Sequence, residues 1–421
     1  MSFSMHFPKY CFSPLPVALG IFLIAASAPA AGQTPRASSR HAVPARAEIR
    51  AIYLTGPTAG RALGRRLAEQ WRSEGGNAVV FDIKDDSSPV SFNAPLALAS
   101  HLRHPYIANL PAWVDWLHAH GLYAIARIDV FLDARLVQAH PELAVRSRAT
   151  GGVWREHGAA TWMDPSQPAV EDYNLALAKI VAASGVDEVQ FDAIRFPVDG
   201  HQADARFAYQ AAHPEEARAD FITSFLRRAQ QELKPSGVRI SIDVYGITGW
   251  QHSVDLKATG QNIAVLAHYC DVICPMIYPS HFFGHFDGFA DPSAHPVHFI
   301  EAGMQKFQKL TRGDGVVIRP WLQAFHWRTK SYGPEYVQEQ VATEHAAGGG
   351  GFMLWNAGNI YTAPNAAMPA MLAAGSKYFS GGYPYPVTLI GAGPRVAAPR
   401  DPLRPGRTGG PGPQPGPARR P

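Results

Sequence analysis

Two aspartates, Asp192 and Asp243, occupy matching places in two short alternating stretches. In Glu188-Val189-Gln190-Phe191-Asp192, an extended chain puts Gln190 and Asp192 on one face and Val189, Phe191 and Ala193 on the other. In Arg239-Ile240-Ser241-Ile242-Asp243-Val244-Tyr245, Ser241 and Asp243 repeat that arrangement. Two carboxylates facing one cleft are the minimum equipment for cutting a glycosidic bond. One protonates the leaving oxygen; the other attacks the anomeric carbon or activates water. Burial and mutual repulsion drive the two pKa values apart, which yields one acid and one base. The competing reading is structural: two inward aspartates that hold Arg127 and Lys84 in ion pairs.

Other polar side chains gather at the C-terminal ends of apolar stretches. In chain order they are Asp82, Lys84 and Asp85, then Arg127 and Asp129, Asp192 and Arg195, Asp243, Tyr278, Gln323, and Trp355 with Asn356. The beginnings of the same stretches are Val, Ile, Ala and Cys. A framework with no chemistry has no need of so many ionisable groups at one end. Trp162, Tyr278, Trp321 and Trp355 offer flat apolar faces that suit stacking on pyranose rings, although each is equally at home in a core. Metal spacing is poor. His281-Phe282-Phe283-Gly284-His285 gives two histidines four apart, but in a Phe/Gly loop, and no His-Glu-x-x-His occurs. Asp82, Asp85 and Asp86 could take Mg²⁺ or Ca²⁺. Neither arrangement outweighs the paired carboxylates, so neither metal nor cofactor is expected. No nucleophile elbow is present.

The elements that must position these residues form a regular alternation. Strands are expected at Ile49–Leu54, Ala78–Lys84, Leu122–Val130, Glu188–Arg195, Arg239–Tyr245, Cys270–Tyr278, Val316–Phe325 and Gly350–Asn356. Pro197 closes the fourth, because proline has no N–H to give. Amphipathic helices are expected near 61–74, 110–120, 169–184, 215–233, 261–269, 295–310, 334–347 and 366–374. Eight such units argue a closed (β/α)₈ TIM barrel over 48–378, with extended βα loops. In that fold all the strand ends named above open into one mouth. An open doubly wound sheet needs a Gly-rich phosphate turn after its first strand, and Thr55-Gly56-Pro57-Thr58 is not one. The long stretch from Phe131 to Asp164, with Trp154, His157 and Trp162, reads as a lid.

The 421 residues carry a formal charge of +4, unevenly spread. Residues 1–47 hold Lys9, Arg36, Arg40 and Arg46 with no acid, and residues 381–421 hold six arginines against Asp401. The part between is therefore net acidic, which argues against a nucleic-acid groove. Leu15 to Ala26 is a short apolar run followed by Ala28-Pro29-Ala30, the pattern of a cleaved signal peptide over 1–31. The run is short for a membrane span, and a retained N-terminal anchor is the alternative. A Pro/Ser/Arg-rich linker follows at 32–47, and 381–421 reads as a disordered Pro/Gly/Arg-rich tail. Cys270 and Cys274 fall too far apart along a strand for a disulfide. Export to the periplasm or the cell exterior is expected.

Several motifs resemble one family. They are VVFDIKDD (Val79–Asp86), WMDPSQPAV (Trp162–Val170), FDAIRFP (Phe191–Pro197), SIDVYG (Ser241–Gly246), DVICPMIYPSHF (Asp271–Phe282), PWLQAF (Pro320–Phe325) and GFMLWNAGNIY (Gly351–Tyr361). In this order they resemble the bacterial putative glycosyl hydrolase domain family, within the glycosidase TIM-barrel superfamily and related to amylase-like barrels. The resemblance implies a barrel and hydrolysis of O-glycosyl bonds. By the superfamily's usual placement, Asp192 at the end of strand four would be nucleophile or base, and Asp243 after strand five the acid. The expected partner is a polysaccharide or oligosaccharide, with Arg127 and Arg195 orienting the carboxylates and Tyr278, Trp321 and Trp355 binding sugar. Two other readings stand beside it: a non-catalytic carbohydrate-binding barrel, and a metal-dependent polysaccharide deacetylase using His281 and His285.

Overall fold

The computed structural model describes residues 48–380 except 100–102, 251 and 283, without the side chains of residues 253 and 254. The signal, linker and tail expectations, and Cys11, lie outside the described residues. Eight parallel strands follow one another around a closed barrel: β1 (Ile49–Leu54), β2 (Ala78–Lys84), β3 (Tyr123–Asp129), β4 (Glu188–Asp192), β5 (Arg239–Tyr245), β6 (Val272–Met276), β7 in two pieces (Val317–Ile318 and Trp321–Gln323) and β8 (Gly351–Trp355). β8 pairs with β1, and the second piece of β7 pairs with both β8 and β6, closing the ring. The expected (β/α)₈ barrel is the observed fold.

Alternation along the strands divides the apolar core in two. Ile49, Ala51, Tyr53, Ala78, Val80, Tyr123, Ile125, Val272, Cys274, Trp321 and Met353 pack inside the barrel. Their neighbours Ile52, Val79, Phe81, Ala124, Val189, Phe191, Ile242 and Leu354 face outward, against the helices. The main outer helices are α1 (Ala62–Ser73), α2 (Leu110–Ala119), α3 (Pro168–Ala183), α4 (Arg218–Leu233), α5 (Ser253–Thr259), α6 (Pro296–Leu310), α7 (Pro334–Ala346) and α8 (Thr362–Ala374). α1 buries Gly64, Ala68 and Trp71 along one stripe, and the Trp71 indole donates to the Arg50 carbonyl at 2.9 Å. α2 starts where the Asn109 side chain accepts from Ala112 N at 3.0 Å. No helix among the described residues is long and apolar enough to cross a membrane.

Three strands depart from the sequence expectation, each for a local reason. β4 stops at Asp192 rather than Arg195, because Ala193 turns into the left-handed region at φ +50°. β7 breaks around Arg319-Pro320, where proline removes one ladder donor. In β2 the register slips: Asp82 pairs with Arg127, but Lys84 pairs with Ile128. That bulge moves Lys84 from the inner face to the outer one. Between β5 and β6, helix forms earlier than expected, as α5 and a single turn at Ile263–Leu266.

The segment after β3 is packed rather than structureless. Bridges join Leu132 to Trp162, Ala144 to Met163, Arg146 to Val153 and Glu156 to Ala159. Arg146–Ser147 also pairs antiparallel with Ala205–Arg206 from the loop after β4. Asp164, fully buried, accepts from Ser166 N, Ser166 Oγ and Ala208 N at 2.7–2.9 Å, which ties the two loops together. Cys270 and Cys274 are both free thiols.

Candidate active site

Arg127 is the last inward side chain but one of β3, and it stands at the centre of the barrel mouth. Its Nη1 lies 2.7 Å from Asp82 Oδ1 of β2, and its Nη2 lies 2.8 Å from Asp129 Oδ1 and 2.5 Å from Asp192 Oδ2 of β4. Its Nε is 3.2 Å from Asp192 Oδ2 and 3.7 Å from Asp243 Oδ2 of β5. The two aspartates singled out by the sequence therefore meet at one nitrogen. Their nearer oxygens are therefore at most about 7 Å apart, which is no wider than the widest span that paired glycosidase carboxylates occupy.

One guanidinium cannot neutralise four buried carboxylates. Burial raises Asp82 to about 7, against the pull of Arg127 and of the Tyr53 hydroxyl, which donates to Asp82 Oδ2. Burial also pushes Asp129 well above the usual carboxylate range, with Asp192, Asp82 and Asp86 adding to the effect. Asp243 is pushed up the same way, by burial first and by Asp192 second. Its Oδ1 accepts from the Trp321 indole at 2.7 Å, whereas its Oδ2 has no hydrogen-bond partner among the described residues. Arg127 itself stays charged: burial opposes this, but Asp129, Asp192 and Asp82 outweigh it. Of the four carboxylates, Asp192 is the one the solvent reaches, with 17% of its side chain exposed against 5% or less for the others. Its Oδ1 accepts from Ala193 N at 2.5 Å, so the left-handed turn at Ala193 fixes the carboxylate plane.

The structure brings Asp82, Arg127, Asp129, Asp192, Asp243, Trp321 and Trp355 together. Arg195, beyond the end of β4, lies with its Cζ 4.8 Å from the Trp162 ring centroid and 4.3 Å from that of Tyr245. Lys84 is elsewhere: the β2 bulge sends it under the loop after β3, where its Nζ meets Asp133 Oδ2 at 3.1 Å and the Val130 carbonyl at 3.3 Å. The idea that Asp192 and Asp243 hold Lys84 is thereby corrected. Asp85 shapes its own loop, its Oδ1 accepting from Ser87 N and Ser88 N at 2.9 and 2.5 Å. Gln323 fastens the loops after β6 and β7, accepting from Ser280 N and donating to the Phe325 carbonyl. Asn356 braces the loop after β8 through the Ala324 and Ile360 carbonyls.

Three of the four expected stacking aromatics are buried. Trp162, Tyr278 and Trp321 are 1%, 4% and 1% exposed. Trp321 holds Asp243, Trp162 donates its indole N–H to Glu156 Oε2 at 2.9 Å, and Tyr278 packs against Phe325 and His281. Trp355 alone keeps a half-exposed face; its other side stacks on Tyr53 at 4.1 Å. Sequence reasoning missed Tyr53 and Tyr245, yet the signal was there. Each is the next inward position on a strand already read, after Ala51 and after Asp243. The two loop histidines part company. His281 sits among Tyr278, Phe325 and Trp327, where burial lowers it to about 4, while His285 is exposed. Among the described residues no group of three His, Cys, Asp or Glu is spaced to hold a metal ion.

The model of the putative glycosyl hydrolase domain matches residues 51–361, which is the barrel from β1 to the loop after β8. The chain belongs to this family. Among solved structures, the glycoside hydrolase domain of PgaB (BpsB) from Bordetella bronchiseptica is similar with a TM-score of 0.54 and 14% identity, over 77% of this chain and 98% of that one. The alpha-L-fucosidase isoenzyme 2 of Paenibacillus thiaminolyticus gives 0.53 and 14%, over 79% of this chain and 50% of that one. A hypothetical protein from Ruminiclostridium thermocellum ATCC 27405 is 31% identical over 46% of this chain and 97% of its own length, with a TM-score of 0.40. The first two establish for the glycosyl hydrolase domain the fold that its strand pairing already shows. No curated protein matches the chain.

Proposed function

We propose that this glycosyl hydrolase domain cleaves O-glycosyl bonds of a polysaccharide, with Asp192 as the carboxylate that meets the anomeric centre and Asp243 as the acid. The observation that carries the reading is the unequal exposure of two carboxylates sharing one arginine. Asp192 reaches solvent at the end of β4; burial pushes Asp243, fully enclosed, towards its protonated form. Arg127 orients Asp192 through Nε and Nη2, while Asp82 and Asp129 hold Arg127 from its other side. Trp355 supplies a half-exposed apolar face beside them for a sugar ring.

One observation favours a second reading, a barrel that binds glycan without cutting it: both oxygens of Asp192 are already engaged, Oδ2 by Arg127 and Oδ1 by Ala193 N. Digestion of a polysaccharide panel with product analysis separates the two. Hydrolysis by the native protein that is lost in Asp192→Asn supports catalysis. Binding without any product, unchanged in Asp192→Asn, supports the binding module. The apolar run Leu15–Ala26 and the small residues after it support reading the protein as exported and its polysaccharide substrate as one met outside the cytoplasm.

A further inference from the structure

The mouth holds a second arginine whose situation is the reverse of Arg127. Arg195 is half-buried, and its Cζ lies 4.8 Å from the Trp162 ring centroid and 4.3 Å from that of Tyr245. Among the described residues its side chain makes one hydrogen bond, from Nη1 to the Phe196 carbonyl at 3.2 Å. No carboxylate among the described residues lies in ion-pair range of it, whereas Arg127, Arg228 and Arg319 each have at least one. The Tyr245 hydroxyl also has no hydrogen-bond partner among the described residues. An arginine packed against two rings has lost part of its conformational freedom in advance, so its remaining N–H groups bind at less further cost.

Acidic groups stand nearby and must be counted. Asp192, Glu156 and Asp199 all raise the Tyr245 phenol, after burial, while Arg195 lowers it. Asp192 Oδ2 is engaged by Arg127, and Glu156 Oε2 by the Trp162 indole. What remains is an arginine with no carboxylate in ion-pair range among the described residues, packed beside the Tyr245 ring and three residues along the chain from Asp192.

We infer that Arg195 and the Tyr245 hydroxyl form a subsite for an anionic substituent on the sugar, so that the substrate is an acidic polysaccharide. The substituent is a carboxylate, as on a hexuronic acid, or a sulfate ester. Both accept from a guanidinium edge by paired hydrogen bonds. This inference rests on the glycosidase reading for its location but not for its test. Native protein is offered matched polymers: a polyuronate, the same polymer with its carboxyl groups reduced to alcohols, and a sulfated neutral glycan. Binding is read by calorimetry and cleavage by product analysis.

The acidic polymers should bind more tightly than the reduced one, and Arg195→Met should cut that preference by about 10- to 100-fold, the worth of a hydrogen-bonded charge. The polyuronate and sulfate arms tell which anion it is. Tyr245→Phe should cut the preference less. Met keeps the stem against the rings, and a melting curve checks that Arg195→Met folds. Equal loss on acidic and reduced polymers would mean that Arg195 is only structural, and a native preference for the reduced polymer would overturn the subsite. Preference in binding with no cleavage of any polymer would leave this inference standing and remove the hydrolase reading.

Discussion

The interior of this barrel contains two buried arginines, one at each end, and they are set differently. At the floor, Arg319 pairs with Glu188, which also accepts from the Tyr123 hydroxyl at 3.2 Å. Both charges are sealed, at 1% and 0% side-chain exposure, and they balance one to one. At the mouth, Arg127 faces four aspartates. A balanced buried pair has no capacity left for chemistry; breaking it leaves one stranded charge. An over-acidic cluster must keep protons in place of missing cations, and those protons can be used. The contrast separates charge that holds the barrel together from charge that acts.

Substitutions test that contrast most directly. Asp192→Asn should abolish hydrolysis of the correct glycan, by about 10³-fold or more, with a melting temperature close to that of the native protein. Near-native turnover would take Asp192 out of the mechanism. Arg319→Met should do the opposite. It leaves Glu188 buried without its cation and should cost about 3–5 kcal/mol in a denaturant melt, while the rate per folded molecule stays the same. A loss well under that would mean the floor pair is as dispensable as a surface one.

Smaller effects refine the mouth. Trp321→Phe removes the indole hydrogen bond to the Asp243 carboxyl group and should destabilise by about 1–3 kcal/mol, because a buried acceptor is left unmet. Isothermal denaturation would show it, and an unchanged midpoint would mean that Asp243 finds another donor. A further signal is in pH. Burial lifts Asp82 from 3.8 to about 7, so the folded state holds its proton more tightly than the unfolded one. Its contribution to stability is complete below 3.8 and is lost as pH rises through about 7. Asp82→Asn should therefore flatten the decline in melting temperature across that window. A decline equally steep in the variant would show that Asp82 is not its source.

The sequence made the barrel and most of its mouth legible because both follow from alternation. Asp82, Asp192 and Asp243 are inward residues at strand ends, and period-two counting finds such residues. The same counting failed at Lys84, where a slip between β2 and β3 reverses the parity, and no residue type announced that slip. It also could not separate a platform from a core residue. Trp162, Tyr278 and Trp321 have the residue type of a stacking platform, but the structure buries all three. Arg319 went unread because it lies beside the proline that splits β7, and its partner Glu188 is on the far side of the barrel in sequence.

The split in β7 has a kinetic side. Around most of the barrel neighbouring strands share ladders of four or more pairs, but the second piece of β7 meets β6 through the single pair Trp321↔Met276. That seam is where the staves should part most readily, and the amide of Ile277, which donates across it to the Trp321 carbonyl, should exchange with solvent deuterium faster than the amides of β2 and β3. Since the indole of the same tryptophan grips Asp243, each parting also loosens the buried acid, and a slow opening of the wall would set the pace at which that acid swaps its proton with bulk water.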